Sequence, residues 1–292
     1  MLLVLGLSAS AADPSPQLLV QPAQAQPGDP VLVTVRGLKE EPTGTLGERP
    51  LRFFRVPGGF AALIGLPVEQ TPGKVPLKVV LAGAPDAEPT PLTRDLEVRA
   101  PGWRTRTLKV ASQFVKPPPE VEARMAEDQT AFTTAFAQPF AAPLFEKNFA
   151  LPRKARITAP YGDLRTFNGQ KQSQHFGTDL SGGTGTPVSA ANRGTVVMTR
   201  ENYAAGNTVL IHHGAGLYTA YFHLSAIAVK EGALVERGQL LGKVGNTGRV
   251  TGPHLHWGAR VEDLWVDPAT LLQLHFAASD RSTSEDVSRE TR

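Results

Sequence analysis

Two long stretches of the chain, from Pro27 to about Val110 and from about Ala155 to Leu274, break into short β-branched and aromatic runs that Pro or Gly closes off. In the first stretch these runs are Val31 to Val35, Leu51 to Val56, Phe60 to Leu66, Val75 to Leu81 and Leu92 to Val98. In the second they are Thr195 to Thr199, Thr208 to His212, Tyr218 to Leu224 and Leu255 to Val261. Such runs are too short for core helices and have the spacing of strands joined by turns. The chain is therefore expected to be mostly β, and its 292 residues suffice for two cores. A β-sandwich-like domain is predicted over 27–110 and a second β domain over 153–275.

The segment between them has a different character. Pro117, Pro118 and Pro119 stop the strand pattern, and Glu120 to Ala137 then places Val121, Met125, Phe132 and Phe136 at helical spacing. A helix followed by an arm with Pro139, Pro143 and Pro152 is expected over 117–152, with the aromatic stripe used for packing. At the start, Met1 to Ala12 runs from apolar Leu2, Leu3, Val4 and Leu5 into small residues, as a secretory signal does, although the usual basic start is missing. That reading implies export across the inner membrane to the periplasm or cell envelope. No stretch has the length of a membrane span, and the polar end, 276–292, is expected to be disordered.

Thirty basic against 27 acidic side chains leave no nucleic-acid footprint. Without cysteine there is neither a disulfide framework nor a thiolate metal site, so any zinc must be held by His and carboxylate. All seven histidines lie in the second β region or at its edge. His175 and Asp179 are four positions apart, and His254 and His256 two apart, which in a strand puts both rings on one face. Three N/N/O ligands would leave a fourth zinc position open for water, as catalytic zinc requires. His223 stands alone in the aromatic run Tyr221, Phe222, His223. His212, His213 and His275 fall outside these patterns and read as structural or exposed. The Gly182 to Gly185 loop lacks the lysine and following helix of a phosphate loop, so no nucleotide site is expected.

The matching stretches Tyr161 to Gly169, His175 to Asp179, Gly185 to Val188, Gly206 to Val209, Tyr218 to Ser225, Gly245 to Gly248 and Thr251 to His256 occur in order over about 155–270. Through them this region resembles the lysostaphin-type (LytM-like) zinc endopeptidases, which cleave peptide bonds in bacterial peptidoglycan. The resemblance implies an antiparallel β-sheet metallopeptidase domain and one Zn2+ held by His175, Asp179 and His256. It also implies that His223 and His254 face a metal-bound water without ligating the ion. Spacing alone had left both rings of the His254/His256 pair as equal ligand candidates. Arg165 and Asn168 are implied to line the substrate groove. Tyr221, like Tyr218, is either a donor to the tetrahedral intermediate or a packing residue, and it is kept with the substrate-binding set.

A peptide carbonyl is a poor electrophile, and zinc both polarises it and acidifies a bound water from about 15.7 towards about 7. The function expected is hydrolysis of peptide cross-links in peptidoglycan, with the stem peptides as partner and with His223 and His254 as acid, base and oxyanion stabiliser. The alternative is a catalytically silent member of the same fold that binds peptidoglycan or activates an amidase. The sequence is indifferent to which cross-link is cut. A long region ahead of the metal residues leaves room for autoinhibition, in which the N-terminal sandwich and the arm 139–152 would cover the groove.

Overall fold

A computed structural model describes residues 15–81, 91–169 and 171–276. The expected signal segment lies outside them, as does the expected tail beyond Phe276. Among the described residues no helix is long and apolar enough to cross a membrane.

The N-terminal part is two sheets face to face. One has the antiparallel order Gln17–Gln21, Pro30–Arg36, Gly59–Gly65, Phe53–Val56, and the other the order Gln24–Ala25, Pro91–Val98, Gly73–Val80, Thr43–Leu46, Arg49–Pro50. The strand Gln17–Gln21 lies ahead of the expected start at Pro27. Gly73–Val80 alternates exposed and buried as a half-solvated strand does. Gly59–Gly65 is instead buried at every position. Its sheet is covered on both faces, and such strands read as continuous apolar runs. Val31, Val33, Val35, Ala62 and Ile64 pack towards the second sheet. Leu32, Phe54, Ala61 and Leu63 pack the other way, into the core of the C-terminal part together with Val266 and Leu271.

That C-terminal part is built on a ten-stranded sheet. Its central order is Ile157–Ala159, Thr178–Ser181, His254–Val261, Leu217–Ile227, Gly206–His212, Gly194–Asn202 and Leu234–Val235. One face holds the core just described: Leu180, Tyr221, Leu255, Trp257, Ala259 and Val261. The arm after the helix packs into this same core through Phe145 and Phe149, and Phe276 closes on both rings at 5.0 and 5.7 Å.

The opposite face carries the helix Glu122–Ala135, seated on Met198, Leu210 and Ala220 through Ala135 and Phe132. Asp128, buried under the helix, accepts from Arg200 Nε (3.1 Å) and Tyr203 N (2.7 Å) and so ties it to the sheet. The strand Thr105–Leu108 does not join the sandwich. It runs parallel to Leu164–Phe167 in a three-stranded sheet with Lys171–Gln174.

Candidate metal centre

Side chains on successive strands converge on the helix-bearing face because their registers align. Asp179 lies opposite His256, and Phe222 lies on the far side of His256. Alternation puts Leu180, Leu255 and Trp257 in the core and leaves Asp179, His254 and His256 on the outer face. His175 reaches the same point from the loop before Thr178–Ser181. Its Nε2 stands 2.9 Å from Asp179 Oδ1 and 3.0 Å from His256 Nδ1, and those last two are 2.9 Å apart. His175 Nδ1 donates to Pro160 O at 2.7 Å, so its Nε2 turns a lone pair to the centre. Arg165 Nη2 donates to Asp179 Oδ2 at 2.7 Å, which leaves Oδ1 for the same point. Two imidazole nitrogens and a carboxylate oxygen held this close need a proton or a cation between them. This N/N/O donor set, with outer partners on His175 and Asp179, fits zinc.

The electrostatics agree. Burial alone would push the Asp179 carboxyl up, but its close contacts with His175 and His256 hold it well below the usual carboxylate range. Burial brings His256 down to about 4, opposed in part by its bond to Asp179. His223 is brought down to about 3 by burial, then by the His256 and His254 charges.

His223 reaches the centre by an irregular route. In a regular strand it would follow Tyr221 into the core. The register slips by one residue between the pairs Val209 with Tyr221 and Asn207 with Leu224. At this bulge His223 takes φ 63°, and its ring lies 5.0 Å from that of His254 and 6.1 Å from that of His256. Asn207 Nδ2 and Thr247 Oγ1 both donate to Leu224 O, and Thr247 O accepts from His223 Nδ1 at 2.8 Å. His254 Nδ1 donates to Gly252 O at 2.8 Å, and its Nε2 is 3.7 Å from Asp179 Oδ1. Among the described residues neither ring's Nε2 has a hydrogen-bond partner.

Of the residues expected to meet substrate, Arg165 lines the groove but is bonded to the Asp179 carboxylate. Asn168 does not line it. Its side chain clamps the backbone of Val110 through both N–H and C=O, because the strand Thr105–Leu108 has to be held beside Leu164–Phe167. Tyr221 is also a correction. Alternation turns it into the core, fully buried, where its hydroxyl accepts from Ala191 N and bonds Thr219 Oγ1. His213 is buried there too, His212 stacks on Tyr218 at 4.6 Å, and His275 bonds Asn148. Several positioning residues are not apparent from spacing: Phe222, stacked on His256 at 5.2 Å and 8°, Asn207, Thr247 and the Pro160 carbonyl. Gly177 is another, since a Cβ there would lie 2.4 Å from His256 Nε2.

The centre opens into a groove of about 1030 Å³. Met125, Gln129 and Phe132 of the helix form one wall, and Leu108 and Val110 continue it. Among the described residues neither the sandwich strands nor the arm 139–152 line it.

The family model described as peptidase family M23 matches residues 173–268. Peptidoglycan DD-endopeptidase ShyA of Vibrio cholerae is 46% identical over 112 residues, 38% of this chain and 26% of that protein. The DD-carboxypeptidase/endopeptidase Mpg of Neisseria meningitidis is 39% identical over 116 residues, 40% of this chain and 27% of that protein. The chain's match thus spans about a quarter of the length of these curated relatives. A crystal structure of a Pseudomonas aeruginosa protein assigned to peptidase M23 superposes with TM-score 0.63 at 28% identity, covering 85% of this chain and 95% of that one.

Proposed function

We propose that this chain, whose residues 173–268 match the model of peptidase family M23, is a zinc-dependent endopeptidase that hydrolyses peptide cross-links of bacterial peptidoglycan in the cell envelope. The observation that carries the reading is the convergence of His175, Asp179 and His256 at 2.9–3.0 Å, with two further imidazoles beside them and a long groove in front. In this reading those three hold one zinc ion. When bound there, zinc would polarise the peptide carbonyl and lower the pKa of a water towards about 7.

The chain's own groups do the rest. The Pro160 carbonyl and the Arg165 guanidinium keep His175 and Asp179 aimed at the centre. His223 and His254 have Nδ1 committed to backbone carbonyls, so each can take a proton at Nε2 and return it to the leaving amine. The helix Glu122–Ala135 walls the groove and excludes water from one side. A cross-linked peptide is long enough to use such a groove, and both relatives carry endopeptidase names, that of ShyA being peptidoglycan DD-endopeptidase.

Two variants test the division of labour. His256→Ala is expected to lose both bound zinc and hydrolysis of purified sacculi. His223→Ala should keep stoichiometric zinc while turnover falls by about 10²–10⁴. Retention of zinc by the first variant sinks the ligand assignment, and its loss from the second makes His223 a ligand. A zinc-loaded wild type that releases no fragments from sacculi would refute the peptidase reading.

A further inference from the structure

Four arginines line the groove, and they differ in what they hold; Arg260 Nε donates to Glu262 O at 2.8 Å, with its guanidinium over the Phe136 ring. Arg106 is paired with Asp163 and Arg165 with Asp179. Arg249 follows directly on the loop Gly245 to Gly248, and its backbone N is fixed to Ala204 O at 2.8 Å. It is half-buried, yet its guanidinium forms no hydrogen bond or ion pair with any described residue. Its contact is with the face of Phe167, 4.6 Å from the ring centroid. Stacking of this kind holds the guanidinium plane and leaves its N–H edge free.

Arg165 adds to the surplus of donors, because its Nε is buried without a partner. Partly desolvated like charges and unmet donors are costly when nothing compensates them. Burial and the neighbouring Arg165 charge both lower the pKa of Arg249, as expected for two cations close enough to repel. A bound carboxylate would meet the free edge of Arg249 with paired, charge-assisted hydrogen bonds and offset the repulsion.

We propose that Arg249, with Arg165 beside it, forms a carboxylate-binding subsite in the groove, so that the chain selects peptides with a free carboxylate flanking the scissile bond over neutral ones such as a polyglycine bridge. This subsite rests on the peptidase reading and narrows its substrate class. Arg249 is a specificity residue: it touches the peptide away from the bond that breaks.

The test uses the zinc-loaded full chain and two synthetic cross-linked peptides, identical except that one bears the free carboxylate and the other its carboxamide. The wild type is expected to favour the carboxylate peptide in kcat/KM by about 10- to 100-fold, the range of a hydrogen bond to a charged group. Arg249→Gln should bring that ratio close to one, mainly through KM, and Arg249→Lys should restore part of it. Unfolding midpoints of both variants show whether the fold is kept. A ratio near one in the wild type, or a ratio unchanged in Arg249→Gln, overturns the subsite. Calorimetric binding of the same peptides separates this inference from the function it rests on. If neither peptide is cut but the carboxylate form binds more tightly in an Arg249-dependent way, the subsite stands and the peptidase reading falls. Equal binding of the two peptides overturns the subsite.

Discussion

His213 and His223 are both buried and both donate Nδ1–H to a backbone carbonyl, Arg193 O in one case and Thr247 O in the other. What separates the two is the second nitrogen. His213 Nε2 pairs with Thr219 Oγ1 at 2.8 Å, and that hydroxyl in turn bonds the Tyr221 hydroxyl, which accepts from Ala191 N. Every polar atom of this internal chain is satisfied, which is why Tyr221 has nothing left for substrate. His223 lines the groove, and its Nε2 has no hydrogen-bond partner among the described residues. The buried pair also makes a pH prediction. Burial lowers His213 from 6.5 to about 4, so between those values the folded ring is neutral while the unfolded one binds a proton. Its contribution is therefore present above pH 6.5 and lost as pH falls towards 4, by about 3 kcal/mol in all. Urea midpoints of wild type and His213→Gln at pH 7.5 and pH 5 should show the wild type losing more stability on acidification; parallel losses would refute it.

At the scale of elements, the strand Leu217–Ile227 does two jobs because of its bulge. Tyr218, Ala220 and Phe222 face the helix side, as alternation requires, and Leu217 and Tyr221 face the core. The positive φ of His223 then brings its ring to the helix side next to Phe222, while Leu224 returns to the core. The neighbouring backbone must come unusually close for this to happen. A Cβ on Gly245 would sit 2.3 Å from Ser225 N and 2.6 Å from His223 O, both backbone atoms that cannot swing away. Gly245→Ala is thus expected to cost about 1–3 kcal/mol and to displace His223. Turnover should fall at least tenfold with zinc content retained, since the three proposed ligands lie outside this strand, His175 on a loop and Asp179 and His256 on other strands. Unchanged activity would show that the bulge does not depend on that close approach. The run Tyr221, Phe222, His223 was legible as a strand carrying a histidine, but the bulge arises from pairing with Gly206–His212 and from the Asn207 and Thr247 side chains, so no local pattern announces it.

Across the whole molecule, the sheet containing Pro30–Arg36 is a middle layer between two cores. Gly65 is part of that fit, because a Cβ there would lie 2.8 Å from Val266 Cγ1. Polar contacts join the same layers: Asp267 N donates to Gly28 O, Thr270 Oγ1 donates to Asp29 Oδ1, and Arg49 pairs with Asp263. Removing the N-terminal part would uncover Val266 and Leu271, so a truncated chain is a poor probe of regulation. The junction also stores a pH response. Burial, and then the Asp29 charge against the bond from Ala269 N, raise Asp267 from 3.8 to about 6. The folded state therefore holds this proton more tightly than the unfolded one, and the associated stability is full below pH 3.8 and lost as pH rises through 6. Asp267→Asn keeps the cap on Ala269 N without the charge. It is expected to raise stability by up to about 3 kcal/mol at pH 7.5, with no gain at pH 4. A gain of equal size at both values would refute the burial of that charge.

The sequence alone determined the β character, the helix between the two β regions and the pairing of a His/Asp segment with a His-x-His strand, because alternation and helical period are local consequences of side-chain chemistry. Resemblance to the lysostaphin-type enzymes implied a role for His175, His223, His254 and His256. Only the tertiary structure decided that Tyr221 is core, that Asn168 holds the chain at Val110, that Arg249 stands in the groove without a hydrogen-bond partner among the described residues, and that the helix rather than the sandwich forms the wall. Each of those depends on how the elements pack on one another, and contacts between residues distant in the sequence settle that.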